Sequence, residues 1–334
     1  MVEQRRLGAS GLNVSAIALG GWLNRTEGEA LKVARAALDA GVTLFDTADV
    51  YGAGRAESVL GMALKDVRRE SVVVSTKVFA RVGPGANDRG LSRKHIVEAC
   101  TSSLARLDCD YIDLYQAHRF DPDVPLRETL GAFDDLVRQG KVLYVGVSEW
   151  TPPQVASALK MADEMGFDRI VSNQLQYSAV WRACEAELTP LASREGLGTL
   201  AWSPLAQGVL SGKYANQTTA PADSRLGGPF AHRIPQELLD TQIQNAVRSL
   251  ASVAADSGAT VAQLCLAWAL SRPTVSSVII GASNAEQVIE NVGACSIQWA
   301  DGAIDAVDRA LSQFAVTSGT RVPSEPDDYR MPDV

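Results

Sequence analysis

The chain has 334 residues, of which 46% are hydrophobic, enough to bury one large core or two ordinary ones. Acidic residues outnumber basic ones, 39 to 31, for a formal charge of -8, and no lysine or arginine cluster offers a footprint for nucleic acid or an anionic membrane. The opening stretch MVEQRRLGAS lacks the apolar core of a signal peptide and no apolar run is long enough to span a bilayer, so a cytoplasmic protein is expected.

Eight short runs rich in β-branched and apolar residues follow one another: SAIALG, TLFDTA, SVVVSTKV, YIDLYQAH, VLYVGVS, RIVSNQLQ, GTLAWSPL and SSVIIGAS. Segments with apolar residues at helical spacing lie between them, including ALKVARAALDA, HIVEACTSSLARL, LRETLGAFDDLVRQG, PPQVASALKMADEM and LTPLASREG. Near-continuous apolar strands alternating with amphipathic helices are what a parallel sheet covered by helices requires, and eight repeats fit a closed (β/α)8 TIM barrel. Strand starts expected at Thr43, Ser71, Tyr111, Val142, Arg169 and Gly198 are fairly regular, whereas the last comes only near Ser276. The extra length is a loop from Ala206 to about Arg233, rich in Gly, Pro, Ser and Thr, with a helix expected from Pro235. No linker divides the chain, so residues 1–334 read as one barrel domain, with a C-terminal helix near Asp301 to Phe314 and an irregular tail from Thr317. Cys100, Cys109, Cys184, Cys265 and Cys295 are scattered, form no C-x-x-C pair and read as reduced core residues.

An open dinucleotide-binding sheet would usually show G-x-G-x-x-G after its first strand, and none occurs. GVLSGKY, Gly208 to Tyr214, is one residue too short for a phosphate-binding P-loop and ends in Tyr.

In a barrel, the polar residues at the C-terminal strand ends are those that do chemistry. Asp46 closes TLF, Lys77 closes SVVVST and His118 closes YIDLYQA, while Tyr51 arrives from the loop after Asp46. Each has a bland role: a turn-capping aspartate, a solvated lysine, a surface tyrosine, a structural histidine. These roles weaken together, because a lysine drawn into a barrel mouth is costly unless paired and Asp46 is the partner that the neighbouring strand delivers. His95 and His232 stay with the structural role.

DTADVYGAG, with Lys77 in STK and His118 in QAHR, resembles the Asp, Tyr, Lys, His tetrad of the aldo-keto reductases. The resemblance runs from RRLGASGLNVSAIALGGW to GASNAEQVIENVGA, and the latter is similar to the potassium-channel β-subunit branch of that superfamily. It implies a (β/α)8 barrel that passes a hydride from NADPH to a carbonyl, with Tyr51 as proton donor, Lys77 as the cation beside it, Asp46 holding Lys77 and His118 orienting the substrate.

The resemblance also implies a set of cofactor residues. Trp202, Ser203, Pro204 and Leu205 begin a pyrophosphate-binding loop, with Lys213 and Arg225 as its cations. Ser283 and Gln287 match positions near the adenosine phosphate, and Glu290 and Asn291 match those at the adenine. Ser148 and Gln174 match groups that bond the nicotinamide carboxamide, and Gly21 and Trp22 a backbone contact and a pocket wall. Two positions depart from the family pattern: GASNAEQ carries no Lys or Arg to grip a 2′-phosphate, so a preference for NADPH/NADP+ rests on Lys213 and Arg225, and Glu149 stands where relatives often carry Asn or Arg. His118, where channel β-subunits often have Asn, favours an active reductase.

Trp22, Tyr51, Phe79, His118, Phe120 and Trp150 would line an aromatic pocket for an aldehyde, ketone or keto-sugar, and Arg119 either attracts an anionic group or pairs within the chain. The expected partner is a small-molecule carbonyl substrate, with no nucleic acid and no membrane; an oligomer is compatible with the sequence. Two alternatives share the chemistry: a cofactor-sensing regulatory subunit, and a polyol or sugar dehydrogenase running in reverse.

Overall fold

Two short strands open the chain, β1 (Gln4–Arg6) and β2 (Asn13–Ser15), paired antiparallel. The eight that follow are β3 (Ile17–Gly20), β4 (Leu44–Asp46), β5 (Val73–Val78), β6 (Ile112–Ala117), β7 (Val142–Ser148), β8 (Ser172–Gln176), β9 (Gly198–Trp202) and β10 (Val275–Ile280). All their pairings are parallel, and β10 pairs with both β9 and β3, so the sheet closes on itself as the expected (β/α)8 barrel. The computed structural model describes residues 2–21, 26–214 and 240–318; Trp22, Arg225, Pro235, most of the loop expected over 206–233 and the end of the tail lie outside them.

Helices cover the barrel wall: α1 (Glu27–Asp39), α2 (Arg55–Leu64), α3 (Arg93–Leu107), α4 (Leu126–Arg138), α5 (Pro152–Met165), α6 (Leu188–Glu195), α7 (Thr241–Ala255), α8 (Val261–Leu270), α9 (Ala285–Gly293) and α10 (Ala303–Leu311). Their ends follow local chemistry. Thr26, Ser92, Thr260 and Asn284 each accept a backbone N–H of the first turn of α1, α3, α8 and α9, and Gly166 and Gly196 end α5 and α6 in the left-handed conformation.

Three helices and the β1–β2 hairpin are absent from the sequence-based reading. α8 is buried almost all round, including Leu264, Cys265, Leu266 and Trp268, so it has no amphipathic period to detect. α2 contains Gly61, where a Cβ would stand 2.7 Å from the Leu107 carbonyl oxygen; the glycine lowers helix propensity but allows the close approach of α3. The nine-residue α9 lies within the stretch read as cofactor contacts. The C-terminal helix expected over Asp301 to Phe314 is α10 followed by a 3-10 turn, Ser312–Phe314.

The barrel interior changes character along its length because inward side chains recur at every second residue. Leu44, Val73, Leu114 and Leu200 join Leu7 and Val14 of the hairpin region in an apolar cluster that seals the N-terminal end. One step further along the same faces come Asp46, Ser75, Gln116 and Trp202, and one more brings Lys77 and His118. The five cysteines are free thiols, and burial pushes those of Cys100 and Cys265 up to about 12, consistent with inert core residues.

Candidate active site

At the C-terminal mouth the ammonium of Lys77, wholly buried, donates to Asp46 Oδ2 at 2.5 Å and to the Thr47 carbonyl at 2.7 Å. Asp46 Oδ1 accepts from Ser75 Oγ at 2.9 Å, Gln174 Nε2 at 2.9 Å and Gln116 Nε2 at 3.2 Å, so the carboxylate is surrounded by donors while only 4% exposed. Burial lowers the Lys77 pKa; the charge and hydrogen bond of Asp46 act the other way, and Arg119 adds to the lowering.

Tyr51 reaches this pair through a tight loop. Gly52, Ala53 and Gly54 all take positive φ, at 58°, 54° and 88°, and the loop closes on itself through bonds such as Tyr51 N to the Ala48 carbonyl at 3.1 Å. The result places Lys77 Nζ 5.2 Å from the centroid of the Tyr51 ring. Tyr51 Oη and His118 Nε2 are 3.5 Å apart, and the rings meet edge to face at 5.7 Å. His118 has its pKa pushed well below the usual value by burial first and by Arg119 and Lys77 after that, so it is a neutral imidazole able to donate one N–H and accept at the other nitrogen.

Ser148 and Gln174 join this group. Ser148 Oγ donates to the Gln174 carbonyl at 3.1 Å and accepts from Arg119 Nη1 at 3.0 Å, while the Gln174 amide is the donor to Asp46 already described. Arg119 is only 8% exposed and also donates to the His118 carbonyl. Phe79 and Trp150 are buried, at 0% and 1%, as are Lys77 and His118, and Trp150 packs edge-on to Phe120 at 4.9 Å.

The remaining candidates among the described residues sit on the adjoining arc of the rim. Trp202 ends β9 and is followed by Ser203, at φ 51°, then Pro204 and Leu205, which lead into a 3-10 helix, Ala206–Ser211. Lys213 is exposed after it, 5.1 Å from the Tyr214 ring centroid. After β10, Ser283 donates through its backbone N and Oγ to Gln287 Oε1 at 2.9 and 3.1 Å, and Asn284 caps α9. Glu290 and Asn291 lie further along α9, with Asn291 buried. Gly21 follows β3, where a Cβ would stand 3.2 Å from Thr47 Oγ1.

Ser75 and Gln116 are missing from the sequence-based set, although a signal for them exists. They precede Lys77 and His118 by two residues on β5 and β6, so strand alternation turns them to the same inner face. Glu149, a departure from the family pattern, has partners in the structure: its Oε1 accepts from Gln176 N at 2.5 Å and from Trp202 Nε1 at 2.7 Å.

Comparison with known proteins gives the family of the chain. The model of the aldo/keto reductase family matches residues 16–312. A protein of Oryza sativa subsp. japonica named "Probable voltage-gated potassium channel subunit beta" is 42% identical over 304 residues, covering 89% of this chain and 92% of its own length. A protein of the same name from Arabidopsis thaliana is 40% identical over 303 residues, with the same coverage of each chain.

Proposed function

The chain belongs to the aldo/keto reductase family of NAD(P)H-dependent oxidoreductases, and on that footing we propose that it is a cytoplasmic, NADPH-dependent reductase of an aldehyde, ketone or keto-sugar with Tyr51 as its general acid. The observation that carries this reading is the buried Lys77–Asp46 pair standing 5.2 Å from the Tyr51 ring, with His118 beside the phenol.

The residues at the rim fit a dinucleotide. α9 starts directly after β10, so its N-terminal amides, framed by Ser283 and Asn284, belong to the same end of the barrel as the tetrad and suit a phosphate. Trp202 to Leu205 with Lys213 would hold the pyrophosphate, joined by Arg225, while Gln287, Glu290 and Asn291 would hold the adenosine end. Gly21, Trp22, Ser148 and Gln174 would meet the nicotinamide end.

NADPH, when bound, supplies a hydride to the carbonyl carbon. The protein's part is to deliver a proton to the carbonyl oxygen and to bind that oxygen as negative charge develops on it. A tyrosine ordinarily holds its proton up to a pH of about 10, so the phenol needs a neighbouring cation to release it near neutrality. Lys77 is that cation. Asp46 keeps it charged and fixed, and the three neutral donors to Asp46 Oδ1 hold the carboxylate in place. His118, being neutral, donates a hydrogen bond to the carbonyl oxygen without competing to protonate it.

The test is loss of NADPH absorbance with a panel of aldehydes, ketones and keto-sugars, comparing the native protein with Tyr51→Phe. Oxidation that disappears in the variant supports the reductase. The names of the rice and Arabidopsis relatives favour a second reading, a cofactor-sensing subunit of a membrane partner. Tight NADPH binding with no turnover on any carbonyl would select it.

A further inference from the structure

Glu149, at the mouth, is unusual in both its backbone and its side chain. It follows the last residue of β7 and adopts φ 57°, a left-handed conformation that a non-glycine side chain holds only when its surroundings impose it. The surroundings are visible. Its backbone N donates to the Gln174 carbonyl at 3.0 Å, and its Oε1 accepts from Gln176 N and Trp202 Nε1. One carboxylate therefore ties together the ends of three successive strands, β7, β8 and β9.

Burial raises the Glu149 pKa, while the charge of Arg119 and the two bonds donated to Oε1 act the other way; a carboxylate held by these partners accepts the indole N–H in a strong and directional bond. The ties continue without a break. Trp202 is bonded to Glu149, Glu149 and Ser148 to the Gln174 carbonyl, and the Gln174 amide to Asp46, the partner of Lys77. The orientation of a large aromatic plate on the cofactor side of the rim is thereby linked to the proton-donating side.

We infer that Glu149 is a positioning residue whose carboxylate fixes the inward-facing Trp202 indole at the end of β9, so that the residue opening the pyrophosphate loop also forms a wall for the cofactor's nicotinamide end. The inference rests on the reductase reading. A residue with an amide or a cation at this position could contact the cofactor directly; the carboxylate acts through Trp202 instead.

The test is a double-mutant cycle on NADPH affinity, using Glu149→Ala, Trp202→Phe and the double variant, with Glu149→Gln as the conservative control. Ala at position 149 must hold the same left-handed backbone, so it reports loss of the side chain. Loss of one charge-assisted bond corresponds to about a tenfold weakening of NADPH binding, the change expected for each single variant. The double variant should be no weaker than either single, and Glu149→Gln, whose amide oxygen can still accept both bonds, should stay within about threefold of native. NADPH deuterated at the transferred position gives a second readout: Glu149→Ala should lower kcat and raise its isotope effect, which a general loss of stability would not do. Additive losses in the cycle, or native affinity and isotope effect in Glu149→Ala, would overturn the inference. A native protein that does not bind NADPH would instead overturn the reductase reading beneath it.

Discussion

Lys77 and Asp46, on neighbouring strands β5 and β4, form an ion pair from which water is excluded, with Nζ and Oδ2 2.5 Å apart and the lysine side chain 0% exposed. A buried pair of this kind contributes little net stability over an apolar pair, but removing one member strands the other charge at a cost of about 3–5 kcal/mol. Asp46→Asn should therefore lower both stability and turnover, while Lys77→Met, which leaves a donor-surrounded carboxylate, should abolish turnover with its own stability loss. Thermal unfolding and NADPH oxidation on the two variants check this; a fully active Asp46→Asn protein would contradict the role given to the pair.

The neutral state of His118 has a pH signature. Its folded pKa lies below the usual 6.5, so as pH falls through about 6.5 the unfolded chain takes up a proton that the native state refuses. Stability is lost on the acid side, beginning near that value, and His95, also lowered by burial, adds in the same direction. Substrate binding, in contrast, should show no break near pH 6.5. Denaturant titrations and kcat/KM between pH 5 and 8 separate the two effects.

Asp49 behaves in the opposite sense. It is 2% exposed, and burial, reinforced by the charge of Glu57, raises its carboxyl well above the usual 3.8. A raised folded pKa gives stability that is fully present below the unfolded value and is lost as pH rises toward the folded one. Asp49→Asn, neutral and of the same shape, should leave stability unchanged near pH 4 and increase it relative to native by pH 8. A melting-temperature difference that shrinks with rising pH would be inconsistent with this.

The Tyr51 loop rests on Arg106. This guanidinium donates to the fully buried Glu57 through Nε at 2.7 Å, and Glu57 also accepts from Thr76 Oγ1 at 2.5 Å. Gly54 lies directly over it, at φ 88°, where a Cβ would come 2.8 Å from Arg106 Cδ. Gly54→Ala should destabilise by about 1–3 kcal/mol through backbone strain and displace the arginine. Turnover should fall more than NADPH affinity, because the loop carries the phenol. Equal losses in both would point to general unfolding instead.

Much of this architecture was legible in the sequence. Each barrel strand is a compact apolar run bounded by a polar strand end, and SVVVSTK and YIDLYQAH carry their site residues within the pattern itself. α1, α3, α4, α5 and α6 showed an amphipathic period because one face of each meets solvent. α8 did not, because burial on all sides erases that period, and in α2 a packing glycine lowers helix propensity.

The sequence by itself determined the fold class, through local patterning, and the family, through the resemblance of its motifs, and it singled out Asp46, Tyr51, Lys77 and His118 as candidates because they stand at strand ends and in the loop after one. Only the tertiary structure decided who bonds to whom. That Gln174 and Gln116 turn to Asp46, that Arg119 holds Ser148, and that Glu149 reaches from β7 to the Trp202 indole on β9 are contacts across as many as 128 residues of chain. Such partners are chosen by barrel register and closure, which bring distant strand ends within hydrogen-bonding distance, and no local pattern encodes them.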